Sequence, residues 1–133
     1  MARVEKTNNR QIGKKGFISW NSVWDDGTDL SDHVVIDLSA AGFDHTNSLV
    51  IEKIAWTCTA GIEFTLEFDA SSNEFIMSSA LAVTNKQGEI DATWDGRGGI
   101  AKTAAGSTGD LVITTTSAAS ADEINLFVWY RVS

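Results

Sequence analysis

Two apolar segments near the C-terminal end of the chain constrain its fold most strongly. In the second segment, residues 124–132, four aliphatic residues and one tyrosine fall on one face of a period-two strand: Ile124, Leu126, Val128, Tyr130 and Val132. The other face is only partly polar, because it carries Phe127 and Trp129. A strand of this kind is central in a sheet or covered by a second surface. Together with residues 109–116, it is predicted to form a C-terminal hairpin.

Period-two patterns recur along the rest of the chain. They predict strands over residues 17–24, 33–38, 49–60, 62–69, 75–77 and 90–94, and residues 62–69 alternate without an error. Val34 is expected to face the core in the second of these strands, and Val50 and Ile54 are expected to share a face in the third. About eight strands, frequent turn signals and no convincing helix predict an all-β fold, an antiparallel β-sandwich that is jelly-roll-like.

The length and the charge distribution predict two parts. The 133 residues suit one domain, assigned to residues 17–133. Residues 1–16 show no period and are predicted to be an extended N-terminal arm, with a net charge of +4 from five basic residues and one acidic residue; the basic ones are Arg3, Lys6, Arg10, Lys14 and Lys15. The rest of the chain carries a net charge of −12. This asymmetry indicates that the arm has its own partner, and an acidic protein surface suits it better than nucleic acid, since the body lacks a basic face. The alternative is a solvated tail.

No segment predicts membrane insertion or export. An apolar run of roughly 20 residues is absent, and the N-terminus lacks the hydrophobic core of a signal peptide. We therefore expect synthesis in a cytoplasm and no membrane partner.

The residues capable of chemistry do not form a recognisable catalytic or metal-binding motif. His33 and His45 lack ligand spacing, and Cys58 lies in an apolar strand, so a zinc site or a cysteine nucleophile is not favoured. An acidic turn over residues 25–32 could supply calcium ligands, although aspartates also favour turns for their own hydrogen bonds. A carboxylate pair of the glycosidase type could be drawn from Glu63, Glu67 and Asp69, but outward carboxylates on a solvated strand are commoner. The sequence predicts no enzyme and no cofactor.

Five tryptophans are many for this length. Four of them share strand faces with aliphatic residues and are expected in the core: Trp20, Trp24, Trp56 and Trp94. Trp129 lies beside Phe127 on the second face of its strand, so these two residues are the candidate contact of a homo-oligomer, a dimer or a trimer. Exposed tryptophans would instead suit a carbohydrate-binding module.

The C-terminal segments carry a family resemblance. The run Gly-Ser-Thr-Gly-Asp-Leu-Val-Ile-Thr-Thr-Thr at residues 106–116, a small-residue turn over 117–123 and the final apolar strand are similar to small structural proteins of tailed bacteriophages, as is the stretch 51–69. The turn has Ala121-Asp122 where that pattern has Gly-Asp. The resemblance is to head decoration (cement) proteins, and it implies a β-sandwich oligomer on the outer surface of the virion.

The resemblance also implies a partner and a role. The partner would be the major capsid protein, and the role would be to stabilise the shell by bridging capsid subunits, with the basic arm adding reach. Two alternatives stay open: a tail-associated or carbohydrate-binding β-sandwich module, and, less favoured, a small hydrolase.

Overall fold

A computed structural model describes residues 3–13, 15–37, 49–79, 87–93, 98–101 and 110–132. These residues form ten strands and no α-helix, so the predicted all-β class is confirmed. The strands are β1 (Arg3–Ile12), β2 (Lys15–Trp24), β3 (His33–Ile36), β4 (Leu49–Cys58), β5 (Glu63–Phe68), β6 (Glu74–Ser78), β7 (Gln87–Asp91), β8 (Ile100–Ala101), β9 (Leu111–Thr116) and β10 (Glu123–Val132). Within the described ranges there is no helix long and apolar enough to cross a membrane.

The strands form two antiparallel sheets that enclose one core. The six-stranded sheet has the order β1-β2-β10-β4-β7, with β8 also paired to β4, and the four-stranded sheet has the order β3-β9-β5-β6. Both sheets contribute to one continuous cluster of buried side chains, which includes Trp20, Leu126 and Tyr130 from the larger sheet and Phe64 and Ile113 from the smaller one. The arrangement is an antiparallel β-sandwich, as the sequence predicted.

The pairing of the strands is nested along the chain. Strand β2 pairs with β10, β3 with β9, β4 with β7, and β5 with β6. Successive pairs fall alternately in the six-stranded and the four-stranded sheet. The chain therefore crosses between the sheets at most of its connections.

The predicted C-terminal hairpin is wrong. Strand β10 lies between β2 and β4 in the six-stranded sheet, whereas β9 lies between β3 and β5 in the other sheet. The connection joins two sheets, and it does so through Ser117 and Ala121, which have φ angles of 61° and 71°. A short turn between two alternating strands looks the same in a sequence whether it closes a hairpin or crosses a sandwich, so the pattern could not separate these cases.

The predicted extended arm is also corrected. Residues 3–12 form β1, which pairs with β2 along its full length without a register shift. Its core-side positions are polar because they bond to polar atoms of the core: Glu5 accepts a hydrogen bond from Trp20 Nε1 at 2.6 Å, and Asn9 accepts one from the Tyr130 hydroxyl at 2.6 Å. Because these core-side residues are polar, residues 3–12 lack the apolar alternation that predicts a strand.

Two bulges change which residues face the core. In β3 the register shifts between Val34 and Ile36, so Val34 is 41% exposed while Val35 and Ile36 are buried, against the expectation that Val34 faces inward. In β4 the register shifts where β10 passes from Trp129 to Tyr130, so Ile51 and Ile54 pack in the same core cluster. The prediction that Val50 and Ile54 share a face is therefore wrong, because a bulge inserts one residue and reverses the alternation.

Candidate binding surface

The outward side of the six-stranded sheet brings basic and aromatic side chains together in cross-strand rows. In one row Arg10 lies opposite Phe17, Phe17 opposite Trp129, and Trp129 opposite Lys53. The adjacent row places Ile12 opposite Lys15, Lys15 opposite Arg131, and Arg131 opposite Val50. Residues directly opposite in antiparallel strands point to the same face, so the two rows form one continuous surface, which we call the basic–aromatic face.

Three rings form the centre of this face. The Phe17 ring lies 4.9 Å from the Trp129 ring between centroids, at an interplanar angle of 52°. Phe127 also stacks with Phe17, with centroids 6.3 Å apart and an interplanar angle of 13°. The ammonium group of Lys53 lies 5.0 Å from the centroid of the Trp129 ring, within cation–π range. Each ring is only half-buried, so the centre of the face presents aromatic area to solvent.

Ion pairs hold part of the basic set in place. Glu52, at the bulge in β4, contacts both Lys15 Nζ at 3.5 Å and Arg131 Nη1 at 3.3 Å. Lys53 contacts Glu89 at 3.2 Å. The second guanidinium nitrogen of Arg131 donates a hydrogen bond to the Gly98 carbonyl at 2.6 Å. Pairs this exposed contribute little to stability, but they orient the cationic groups on the face.

Among the described residues, basic side chains occur on the strands of one sheet, whereas acidic side chains occur on both. Every lysine and arginine among the described residues lies on the six-stranded sheet: Arg3, Lys6, Arg10, Lys15, Lys53 and Arg131. The strands of the four-stranded sheet carry three glutamates and no lysine or arginine; the glutamates are Glu63, Glu67 and Glu74. The two sides of the sandwich therefore differ in charge.

The structure combines the two sets of residues predicted to bind partners. Arg10 and Lys15 of the predicted arm lie on the same face as Trp129, which was predicted to contact another subunit. Phe127 joins them through its stacking on Phe17. The sequence analysis missed Phe17 and Lys53 as members of this face. The signal was present in the alternation of each strand, but only the order of strands in the sheet brings the residues together.

The remaining members of the predicted arm are spread along β1. Lys6 is exposed and lies opposite Asn21, toward the other end of the sheet. Arg3 begins the strand, opposite Trp24. Lys14 lies outside the described residues, as do His45 and Trp94.

His33 contacts a glutamate of the other sheet, and Cys58 is partly buried at the end of a strand. His33 Nε2 lies 2.8 Å from Glu5 Oε2, and this contact joins β3 of the smaller sheet to β1 of the larger one. Cys58 lies at the end of β4, where burial, and secondarily the charge of Asp122, raises the pKa of its thiol. A thiol kept protonated is a poor nucleophile. That Cys58 has no catalytic role stays a prediction.

The acidic turn uses its carboxylates to hold loops together. Asp26 accepts a hydrogen bond from the Thr28 amide at 2.9 Å, and this bond lowers the pKa of the Asp26 carboxyl group. Asp29 accepts bonds from the Ala118 amide at 2.9 Å and the Thr115 hydroxyl at 3.1 Å. No group of three or more potential ligands that could hold a metal ion occurs in the part of the chain that the structure describes. These carboxylates act as turn-stabilising acceptors rather than as a convergent ligand set.

The other candidate residues are dispersed. Glu63 and Glu67 lie on alternate positions of β5, opposite Thr116 and Val112 of β9. Three tryptophans are buried in the core as expected: Trp20, Trp24 and Trp56. Of the tryptophans in the described ranges, Trp129 alone presents part of its ring to solvent. Among the described residues, a stacking platform for sugars would therefore contain a single tryptophan, Trp129.

Comparisons with known proteins identify no relative. No protein-family model, no curated protein and no solved structure matches this chain.

Proposed function

We propose that this chain is a virion structural protein, a decoration or cement protein that binds the outer surface of a phage head. The proposal rests on the resemblance of the C-terminal segments and on one structural observation, the basic–aromatic face of the β-sandwich. A protein that covers a shell needs an adhesive surface and no catalytic group, and this face supplies aromatic area with cations around it.

The charges favour an acidic, partly apolar surface on the major capsid protein as the partner. The whole chain has a net charge of −8, and the basic residues that the structure describes all lie on one sheet of this acidic molecule. Cations on that face would steer the molecule onto carboxylates of the shell, and burial of the Trp129 and Phe17 rings would supply most of the affinity. Each copy would bridge neighbouring shell subunits, and many copies on one lattice would stabilise it together.

We further propose that strands β2–β7, β9 and β10 form a jelly roll. The nested pairing supports this, since a jelly roll is a long hairpin of eight strands rolled so that its pairs alternate between two sheets. Strand β1 then extends one edge of the roll. A homo-oligomer, a dimer or a trimer, remains part of the proposal, and light scattering at micromolar concentration tests it.

The direct test is co-sedimentation with shells assembled from the major capsid protein encoded in the same genome. We expect the chain to sediment with shells, with an affinity that falls as salt is raised. The double variant Arg10→Gln with Lys53→Gln removes two positive charges from the face and should weaken binding about ten-fold or more. Its matched control, Thr65→Glu with Thr116→Glu, changes the charge of the four-stranded sheet by the same amount and should bind as the unmodified chain does.

Four outcomes would count against the proposal. The chain could fail to bind shells at any salt concentration, or the control could lose as much affinity as the double variant. Binding to purified tails but not to heads would favour the tail-associated alternative. Quenching of tryptophan fluorescence by sugars, lost in Trp129→Ala, would favour the carbohydrate-binding alternative.

A further inference from the structure

The tip of the β1–β2 hairpin, residues 11–15, presents an exposed aliphatic side chain. Ile12 is 88% exposed, more than any other large apolar residue that the structure describes; the others above one-third exposure are Val4 at 45%, Val34 at 41% and Phe75 at 57%. An isolated exposed isoleucine is ordinary on a protein surface. The setting of this one is not, because it lies at the end of a hairpin whose second strand is also paired with β10 as far as Lys15.

The described residues of the tip, 11–13 and 15, are held by strand pairing and by a side-chain hydrogen bond. Ile12 pairs with Lys15, so only two residues connect the strands, and Gly13 has a φ angle of +60°. Tight hairpin loops need a left-handed backbone at this position, where glycine has no steric penalty. The Gln11 side chain donates a hydrogen bond to the Gly13 carbonyl at 3.0 Å. Strands β1 and β2 pair without a register shift as far as Ile12 and Lys15, so the strand pairing extends to the turn.

Two cationic residues flank the exposed side chain, and one of them, Lys15, also contacts Glu52. Lys15, its cross-strand partner, has a side chain that is 74% exposed, and Arg10 precedes Ile12 by two residues on the same face of β1. The aliphatic side chain of Ile12 therefore lies near two positively charged residues at a corner of the basic–aromatic face. The complementary surface is an apolar pocket with carboxylates at its rim.

We propose that Ile12 is an anchor that inserts into an acid-rimmed apolar pocket on the major capsid protein. This inference rests on the proposed function and adds a specific contact to it. The rest of the basic–aromatic face would supply broad contact area, while the tip would fix the position of each copy on the lattice. Burying one isoleucine side chain is sufficient for an effect of roughly ten-fold to a hundred-fold on affinity.

The test measures binding of three variants to the same purified shells. Ile12→Ser removes the aliphatic side chain, and we expect it to weaken binding by about ten-fold to a hundred-fold. Ile12→Leu keeps an aliphatic group of the same size and should stay within about three-fold of the unmodified chain. Val4→Ser is the matched control, because Val4 is also exposed on β1 but lies at the opposite end of the strand; it should bind normally. Thermal unfolding should show that all three retain the fold, since exposed substitutions change stability by less than about 0.5 kcal/mol.

The outcomes separate this inference from the proposed function. If the unmodified chain binds shells and Ile12→Ser binds equally well, the anchor is refuted while the decoration role stands. If the unmodified chain does not bind shells, both are refuted. If Ile12→Ser converts an oligomer to a monomer in light scattering without changing shell binding, the pocket belongs to a second copy of this chain and the proposed occupant is wrong.

Discussion

The position of β10 between β2 and β4 can be tested with a single introduced cysteine. Ile124 of β10 lies directly opposite Cys58 of β4, and Cys58 is the single cysteine of the chain. Opposite residues in antiparallel strands have Cα atoms about 4.5–5.5 Å apart, which suits a disulfide bond. The variant Ile124→Cys should therefore form an intramolecular disulfide with Cys58 on oxidation. Mildly alkaline pH will help, because burial raises the pKa of the Cys58 thiol.

The size of the effect follows from the loop that the bond closes. Positions 58 and 124 are 66 residues apart, and cross-linking a loop of this length removes chain entropy worth up to about 4 kcal/mol at 25 °C. Truncating the fully buried Ile124 costs roughly 1–3 kcal/mol in both redox states. Comparing the oxidised with the reduced variant cancels that cost. We expect the oxidised form to have a midpoint of thermal unfolding higher by up to roughly 10–20 °C.

Mass spectrometry and non-reducing gels measure the bond, and calorimetry measures the stability. Leu126→Cys is the matched control: it is also buried in β10, but it lies opposite Trp56 and only diagonal to Cys58, about 7–8 Å away. It should keep both thiols reduced under the same conditions. Free thiols in folded Ile124→Cys, or an equally fast bond in Leu126→Cys, would refute the register between β10 and β4.

Three further predictions concern single positions. A methyl group on Gly16 would overlap the Tyr130 ring, so Gly16→Ala should lower the free energy of unfolding by about 1–3 kcal/mol in urea titration, whereas Gly98→Ala, whose added carbon lies 3.9 Å from its nearest neighbour, should not. Burial raises the pKa of Tyr130, which favours the neutral phenol in the folded state, so stability should fall as pH rises above about 10. Tyr130→Phe should reduce that fall and leave the part due to Cys58, whose pKa burial also raises; absorbance of the single tyrosine can follow the titration. Ala121 has a left-handed φ of 71°, which is strained for alanine, so Ala121→Gly should stabilise the chain by up to about 1 kcal/mol. An unchanged midpoint of unfolding would contradict the claim that Ala121 is strained.

The strands with strict alternation were predictable from the sequence. In β5, buried Phe64, Leu66 and Phe68 alternate with half-buried polar residues, and the period-two pattern predicted this face assignment correctly. The same holds for four residues on the core side of β10 that are fully buried: Ile124, Leu126, Val128 and Tyr130. Apolar–polar alternation predicts which face of a strand is buried, and the prediction is correct where one face packs on the core and the other does not.

The pairing of those strands was not predictable in the same way. Local alternation contains no information on which strand becomes a neighbour, and the crossing connections between β9 and β10 and between β4 and β5 resemble hairpin turns. The bulge at Glu52 and the polar core-side residues of β1 likewise have no period-two signal. The basic–aromatic face depends on all three, because Arg10, Phe17, Trp129 and Lys53 meet only when β1, β2, β10 and β4 lie side by side. Its members were therefore predicted in part, and as two separate surfaces.

The measurement that tests the central proposal most directly is a cryo-electron microscopy map of shells decorated with this chain. We expect extra density on the outer surface of the head, into which the sandwich fits with its six-stranded sheet toward the shell and the rings of Phe17 and Trp129 covered. A map in which the acidic four-stranded sheet faces the shell, or in which the heads carry no added density at saturating protein, would contradict the proposal.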